Sequence, residues 1–150
     1  MCQFTCVVLT TLLALGSAPA GDDVAKKDLQ LFQGSWQAVF IQNVDGQRAP
    51  DEDVRATRLL VHGNEFTLMV KDVTVYGTFT IDPTKTPKAI DVTLKGAKPG
   101  EKFLGVYQID GEIRRSSFAL PGNERPRAVR PSAKGYVMLE WKRLLASADR

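Results

Sequence analysis

Apolar and polar residues alternate along most of this chain, in short runs broken by turn formers. Phe66, Leu68 and Val70 share one face of a run whose other face is Glu65, Thr67, Met69 and Lys71. Val73, Val75, Gly77, Phe79 and Ile81 oppose Thr74, Tyr76, Thr78 and Thr80, and Ile90, Val92 and Leu94 oppose Asp91, Thr93 and Lys95. This period of two is that of a β-strand with one face in a core. Phe103, Gly105, Tyr107 and Ile109 continue the pattern, as do Val137, Leu139 and Trp141. Strands are predicted over 36–43, 58–62, 65–71, 74–81, 89–95, 102–109, 112–120 and 136–143. Asp45-Gly46, Gly63-Asn64, Asp82-Pro83 and Asp110-Gly111 punctuate them as turn signals. A loop over 121–135 precedes the last strand.

One segment departs from this period. Residues 22–33 read as a short helix, with Asp22 and Asp23 complementing its N-terminus. Val24, Leu29, Leu31 and Phe32 form its rough apolar face, and Gly34 ends it. Pro50 to Asp53 opens a second helical turn or a loop. The helix is expected to pack over one end of a barrel, the alternative being an arm that binds a partner. The expected fold is all-β: an eight-stranded antiparallel up-and-down barrel, closed or partly open, behind a short N-terminal helix. Such a barrel has an interior that side chains just fill, or that holds one small ligand. The inward residues are large and branched, which favours filling.

The 150 residues allow one domain. Residues 1–20 carry no charge, and Val7 to Leu15 form an apolar stretch too short to span a bilayer, which takes about 20 residues. Ala18-Pro19-Ala20 supplies the small residues of a signal-peptidase site. The chain is therefore divided into a signal peptide, 1–20, and a barrel domain, 21–150, exported to the periplasm or the medium. Both cysteines, Cys2 and Cys6, lie in the leader ahead of the apolar run, so neither a disulfide nor a lipid anchor is expected in the mature chain. A net charge of +3 lacks the strongly basic stripe of a nucleic-acid binder.

Several ordered segments carry a resemblance. They are Leu31-Phe32-Gln33-Gly34-Ser35-Trp36, Asp82-Pro83 through Pro87-Lys88-Ala89-Ile90-Asp91, Gly105-Val106-Tyr107 through Asp110-Gly111, and Phe118-Ala119-Leu120-Pro121-Gly122 followed by Arg125-Pro126. At a broad level the Gly-x-Trp step after a helix resembles lipocalin-like barrels. More closely, the set resembles an exported, lipocalin-like domain family of uncharacterised function, abundant in planctomycete bacteria, over about residues 29–143. The resemblance implies the barrel and export, and no activity. It also implies that Trp36 packs at the closed end under a basic side chain near the end of the last strand. Arg143 is the expected residue, with Lys142 the second choice, and Gly34, Trp36 and Arg143 would form the barrel floor. Such a cation–π contact contributes about 0.5–2 kcal/mol.

One strand departs from the family's pattern. Arg114 and Ser116 occupy positions that are apolar in relatives, on the face shared with Phe118, and Ser117 stands where relatives carry a Cys. A bulged or exposed strand is the expected outcome. The alternative brings polar groups into the barrel, with Arg114 at its mouth to pair with an anionic ligand group.

Catalytic and metal chemistry find little to work with. His62 is the only histidine and sits beside a turn, where it reads as solvated. Asp51, Glu52 and Asp53 read as an acidic helix start rather than a Ca²⁺ loop. No nucleophile elbow or P-loop is present. No catalytic residue, metal site or cofactor is expected. The expected function is non-enzymatic binding of a small apolar or amphiphilic molecule by Phe66, Phe79, Tyr107, Arg114 and Phe118. The alternative is an interaction module with a packed interior, acting through loop 121–135. There Arg125, Arg127 and Arg130 could meet an acidic protein or surface, although a solvated connection is the plainer reading of that loop.

Overall fold

The computed structural model describes residues 20–132 and 134–145; the expected leader lies, apart from Ala20, outside them. The alternating runs form eight strands: β1 (Gly34–Gln42), β2 (Thr57–His62), β3 (Glu65–Val70), β4 (Val73–Asp82), β5 (Ala89–Leu94), β6 (Phe103–Asp110), β7 (Ile113–Ala119) and β8 (Tyr136–Leu144). Each is antiparallel to the next, and β8 returns to β1, so the barrel is closed. The closing pair is long, running from Ser35↔Leu144 to Gln42↔Met138. Closure removes the open edge that a meander would otherwise leave unpaired.

Two helices flank the strands, α1 (Ala20–Phe32) before β1 and α2 (Asp51–Arg55) between β1 and β2. Gly34 enters β1 at φ +106°, a left-handed conformation that glycine adopts without the Cβ penalty. The face α1 buries differs from the one its apolar residues suggest. Asp28 and Phe32, four residues apart, are buried, whereas Val24 and Leu31 are exposed. The reason is a set of specific partners. Lys88 Nζ and Tyr107 Oη each lie 2.7 Å from Asp28 Oδ2, so the carboxylate enters the interior already paired. Phe32 stacks on Phe79 with centroids 5.4 Å apart and meets Tyr107 edge-on at 5.0 Å. Burial of a Phe side chain contributes about 1.5–3 kcal/mol, and these contacts hold α1 across one end of the barrel.

The bulge expected in the Arg114 strand lies elsewhere. β7 pairs without interruption with both neighbours, from Ile113 to Ala119 against β8 and from Ile113 to Phe118 against β6. Arg114 and Ser116 are buried. The irregularity falls in β1, between Ala38 and Phe40. The extra residue there switches the parity of the strand, so that Trp36 and Ala38 and then Ile41 are buried.

Loop 121–135 is not a freely solvated connection. Gln42 Nε2 donates to Ser132 O at 2.7 Å, and Ser132 N donates back to Gln42 Oε1 at 2.9 Å. Arg125 Nη1 donates to Gly105 O at 2.8 Å and lies 2.7 Å from Asp91 Oδ1. Val106, Ser117 and Met138 are cross-strand neighbours on the outward face, yet all three are buried.

Candidate functional site

The interior is not filled. A cavity of about 270 Å³ occupies the barrel, lined by apolar side chains from β2 to β8 and by Arg114. Phe66, Leu68, Val75, Leu94, Phe103 and Val137 line it and are only half-buried, although they point into a closed barrel. Solvent therefore reaches the inner face, which the expectation of a packed interior did not foresee.

Two glycines explain how the space is kept open. Gly77 stands directly across from Phe66, and Gly105 across from Phe118. A Cβ on Gly77 would lie 2.6 Å from the Phe66 ring and 2.5 Å from Thr93 O; one on Gly105 would run into the Phe118 ring. The missing side chains let both rings lie flat against the wall. Large aromatics thus line the lumen without filling it.

The end beneath α1 is closed. Trp36 is fully buried, and its Nε1 donates to Phe32 O at 2.9 Å. The Arg143 guanidinium lies 4.2 Å over the Trp36 ring, and Arg143 donates to Gln33 O at 2.5 Å and Leu31 O at 2.6 Å. Gly34, Trp36 and Arg143 are thereby brought together: a Cβ on Gly34 would sit 3.4 Å from Arg143 Nη1. Lys142 is exposed and takes no part.

Arg114 belongs to this floor rather than to a mouth. It is 6% exposed, with its guanidinium 4.5 Å over Phe32 and 5.6 Å from the Trp36 ring centre. Its Nε and Nη1 have no hydrogen-bond partner. Burial, and then the neighbouring charge of Arg143, pull its pKa down to about 9, so the guanidinium remains charged at pH 7. It is the one charged residue of the cavity wall among the described residues.

The other expected site residues divide. Phe66, Phe79 and Phe118 line the cavity; Tyr107 does not. Tyr107 is buried beneath α1, its hydroxyl tied to Asp28, and burial followed by that carboxylate raises its pKa. Of the loop arginines, Arg125 turns onto the sheet, while Arg127 and Arg130 are exposed. His62, the last residue of β2, is exposed, as are Asp51 and Glu52 in α2. No cluster of metal-ligating side chains occurs among the described residues, and none of their helices is long and apolar enough to cross a membrane. Leu59, Leu68, Val75, Leu94 and Leu139 were absent from the expected site but line it. Their alternation with polar neighbours was the signal for most of them.

No family model, curated protein or solved structure matches the chain.

Proposed function

We propose that this is an exported, non-enzymatic binding protein that holds a small apolar or amphiphilic molecule inside its barrel. The observation that carries the reading is the half-exposed apolar lining of a closed barrel around a cavity of about 270 Å³. The volume is at the small end for ligand pockets, which run from roughly 300 to 1,000 Å³. At roughly 30 Å³ for each water-sized group, it accommodates about nine methylene-sized groups. Each methylene moved out of water contributes about 0.8 kcal/mol, against which stands the loss of translational and rotational freedom. The apolar run 7–15 and Ala18-Pro19-Ala20 support export, and the resemblance to exported lipocalin-like domains agrees with the barrel and with export. Action through loop 121–135 has a weaker footing, because Arg125 is engaged with Asp91 and the barrel backbone.

Calorimetric titration with 1-octanol tests the proposal. One saturable site is expected, accompanied by a change in the emission of Trp141, which lines the cavity. Val92→Trp places an indole in the lumen and should abolish binding while the β-sheet circular dichroism is retained. Undiminished octanol binding by that folded variant would place the ligand elsewhere and defeat the proposal.

A further inference from the structure

Arg114 presents an unusual arrangement at the floor of the cavity. A guanidinium ordinarily enters a protein interior beside a carboxylate, because an unpaired buried charge is costly. Among the described residues no carboxylate pairs with Arg114. Asp28, the buried acid beneath α1, is taken up by Lys88 and Tyr107. Two further polar groups on the same side of the barrel also lack partners, Trp141 Nε1 and Ser116 Oγ. Trp141 stands directly across from Arg114 in the β7–β8 ladder, and Ser116 is two residues along β7 on the same face. Unpartnered polar groups are therefore gathered here, at the closed end of an otherwise apolar cavity.

We infer that the ligand carries a single anionic head group that seats on Arg114 at the floor, with its apolar tail running toward the open end: a medium-chain carboxylate. This rests on the lumen being the binding site. The charge count follows from the two arginines near Trp36. Arg143 donates to the carbonyls of Gln33 and Leu31 and lies outside the cavity wall, so Arg114 is the one charged residue of that wall among the described residues and one negative charge is matched. The tail length follows from the volume, which an eight-carbon chain fills. An acidic head would meet the guanidinium through charge-assisted hydrogen bonds strengthened by the surrounding apolar wall.

Octanoate, 1-octanol and octylammonium, titrated into the full folded protein at pH 7, separate this inference from the reading beneath it. Octanoate is expected to bind about ten- to a hundred-fold more tightly than octanol, the range for a hydrogen bond to a charged group, and octylammonium should not bind detectably. In Arg114→Met the preference for octanoate over octanol should vanish. Equal binding of octanol and octanoate by the unsubstituted protein would overturn the head-group inference and leave the cavity reading standing. If neither compound binds, the cavity reading fails and the inference falls with it. The comparison in the unsubstituted protein decides the matter even if Arg114→Met folds poorly.

Discussion

Replacing Arg114 by methionine should make the ligand-free protein more stable. Holding the guanidinium pKa at about 9 costs the folded state about 1.4 kcal/mol for each pH unit of the fall from its ordinary value, about 5 kcal/mol in all. The stacking of Arg114 on Phe32 and Trp36 returns about 0.5–2 kcal/mol at each ring. A methionine of similar length keeps apolar contact with both rings and carries no charge. The net gain is therefore about 1–4 kcal/mol, the range seen when buried ionic groups give way to apolar ones. For a domain of this size the gain raises Tm by about 4–15 °C. The pH dependence has a definite sign. Between pH 9 and the ordinary arginine value, the unfolded chain holds a proton that the folded protein has lost, so stability rises with pH through that window. Below pH 9 both states are charged and the full cost is present. The advantage of Arg114→Met should thus be flat from pH 6 to about 8.5 and shrink above pH 9. Paired urea melts across that range measure it. A variant less stable than the parent at pH 7 would refute the reasoning, and would make the guanidinium a structural element of the floor.

Three further substitutions probe the floor and the wall. Trp36→Ala removes a fully buried indole and should cost about 3–5 kcal/mol in urea unfolding; lost octanol binding at unchanged stability would instead make Trp36 a ligand contact. Gly105→Ala drives a methyl into the Phe118 ring and to 2.8 Å from Ser117 O. It should cost about 1–3 kcal/mol and weaken octanol binding, because the ring can yield only toward the lumen; a silent outcome in both assays would contradict the role given to this glycine. Tyr107→Phe deprives the buried Asp28 carboxylate of a 2.7 Å hydrogen bond and should cost about 1.5–3 kcal/mol with octanol affinity unchanged, since Tyr107 lies outside the cavity wall. A matching loss of affinity would mean that α1 and the lumen are coupled.

The barrel was legible because its signals are local. Period-two alternation from Phe66 to Ile81 and from Ile90 to Tyr107 assigned strands and faces, and Asp110-Gly111 and Gly63-Asn64 supplied the turns. Closure was not legible, since it depends on the pairing of β1 with β8 across the length of the chain. The β1 bulge left no signal because Ala38, Val39 and Phe40 are all apolar, and nothing in the residue types says which faces inward. The wall of the cavity was implicit in the inward positions, but its emptiness was not. That depends on Gly77 and Gly105 standing opposite Phe66 and Phe118, a cross-strand relation visible only once the register is known. Arg114 was singled out correctly as unusual, yet its height in the barrel follows from its position opposite Trp141, which put it at the floor. Asp28 gave no warning, because its partners Lys88 and Tyr107 are far away in sequence.

The most direct measurement is a crystal structure of the protein grown with octanoate. The account predicts one alkyl chain inside the barrel, between Phe79 and Leu139, with its carboxylate on Arg114 and its last carbons toward Leu68 and Phe103. Octanoate bound on the outer surface, or at loop 121–135, with the lumen unoccupied by it, would contradict the claim that this barrel works by what it encloses.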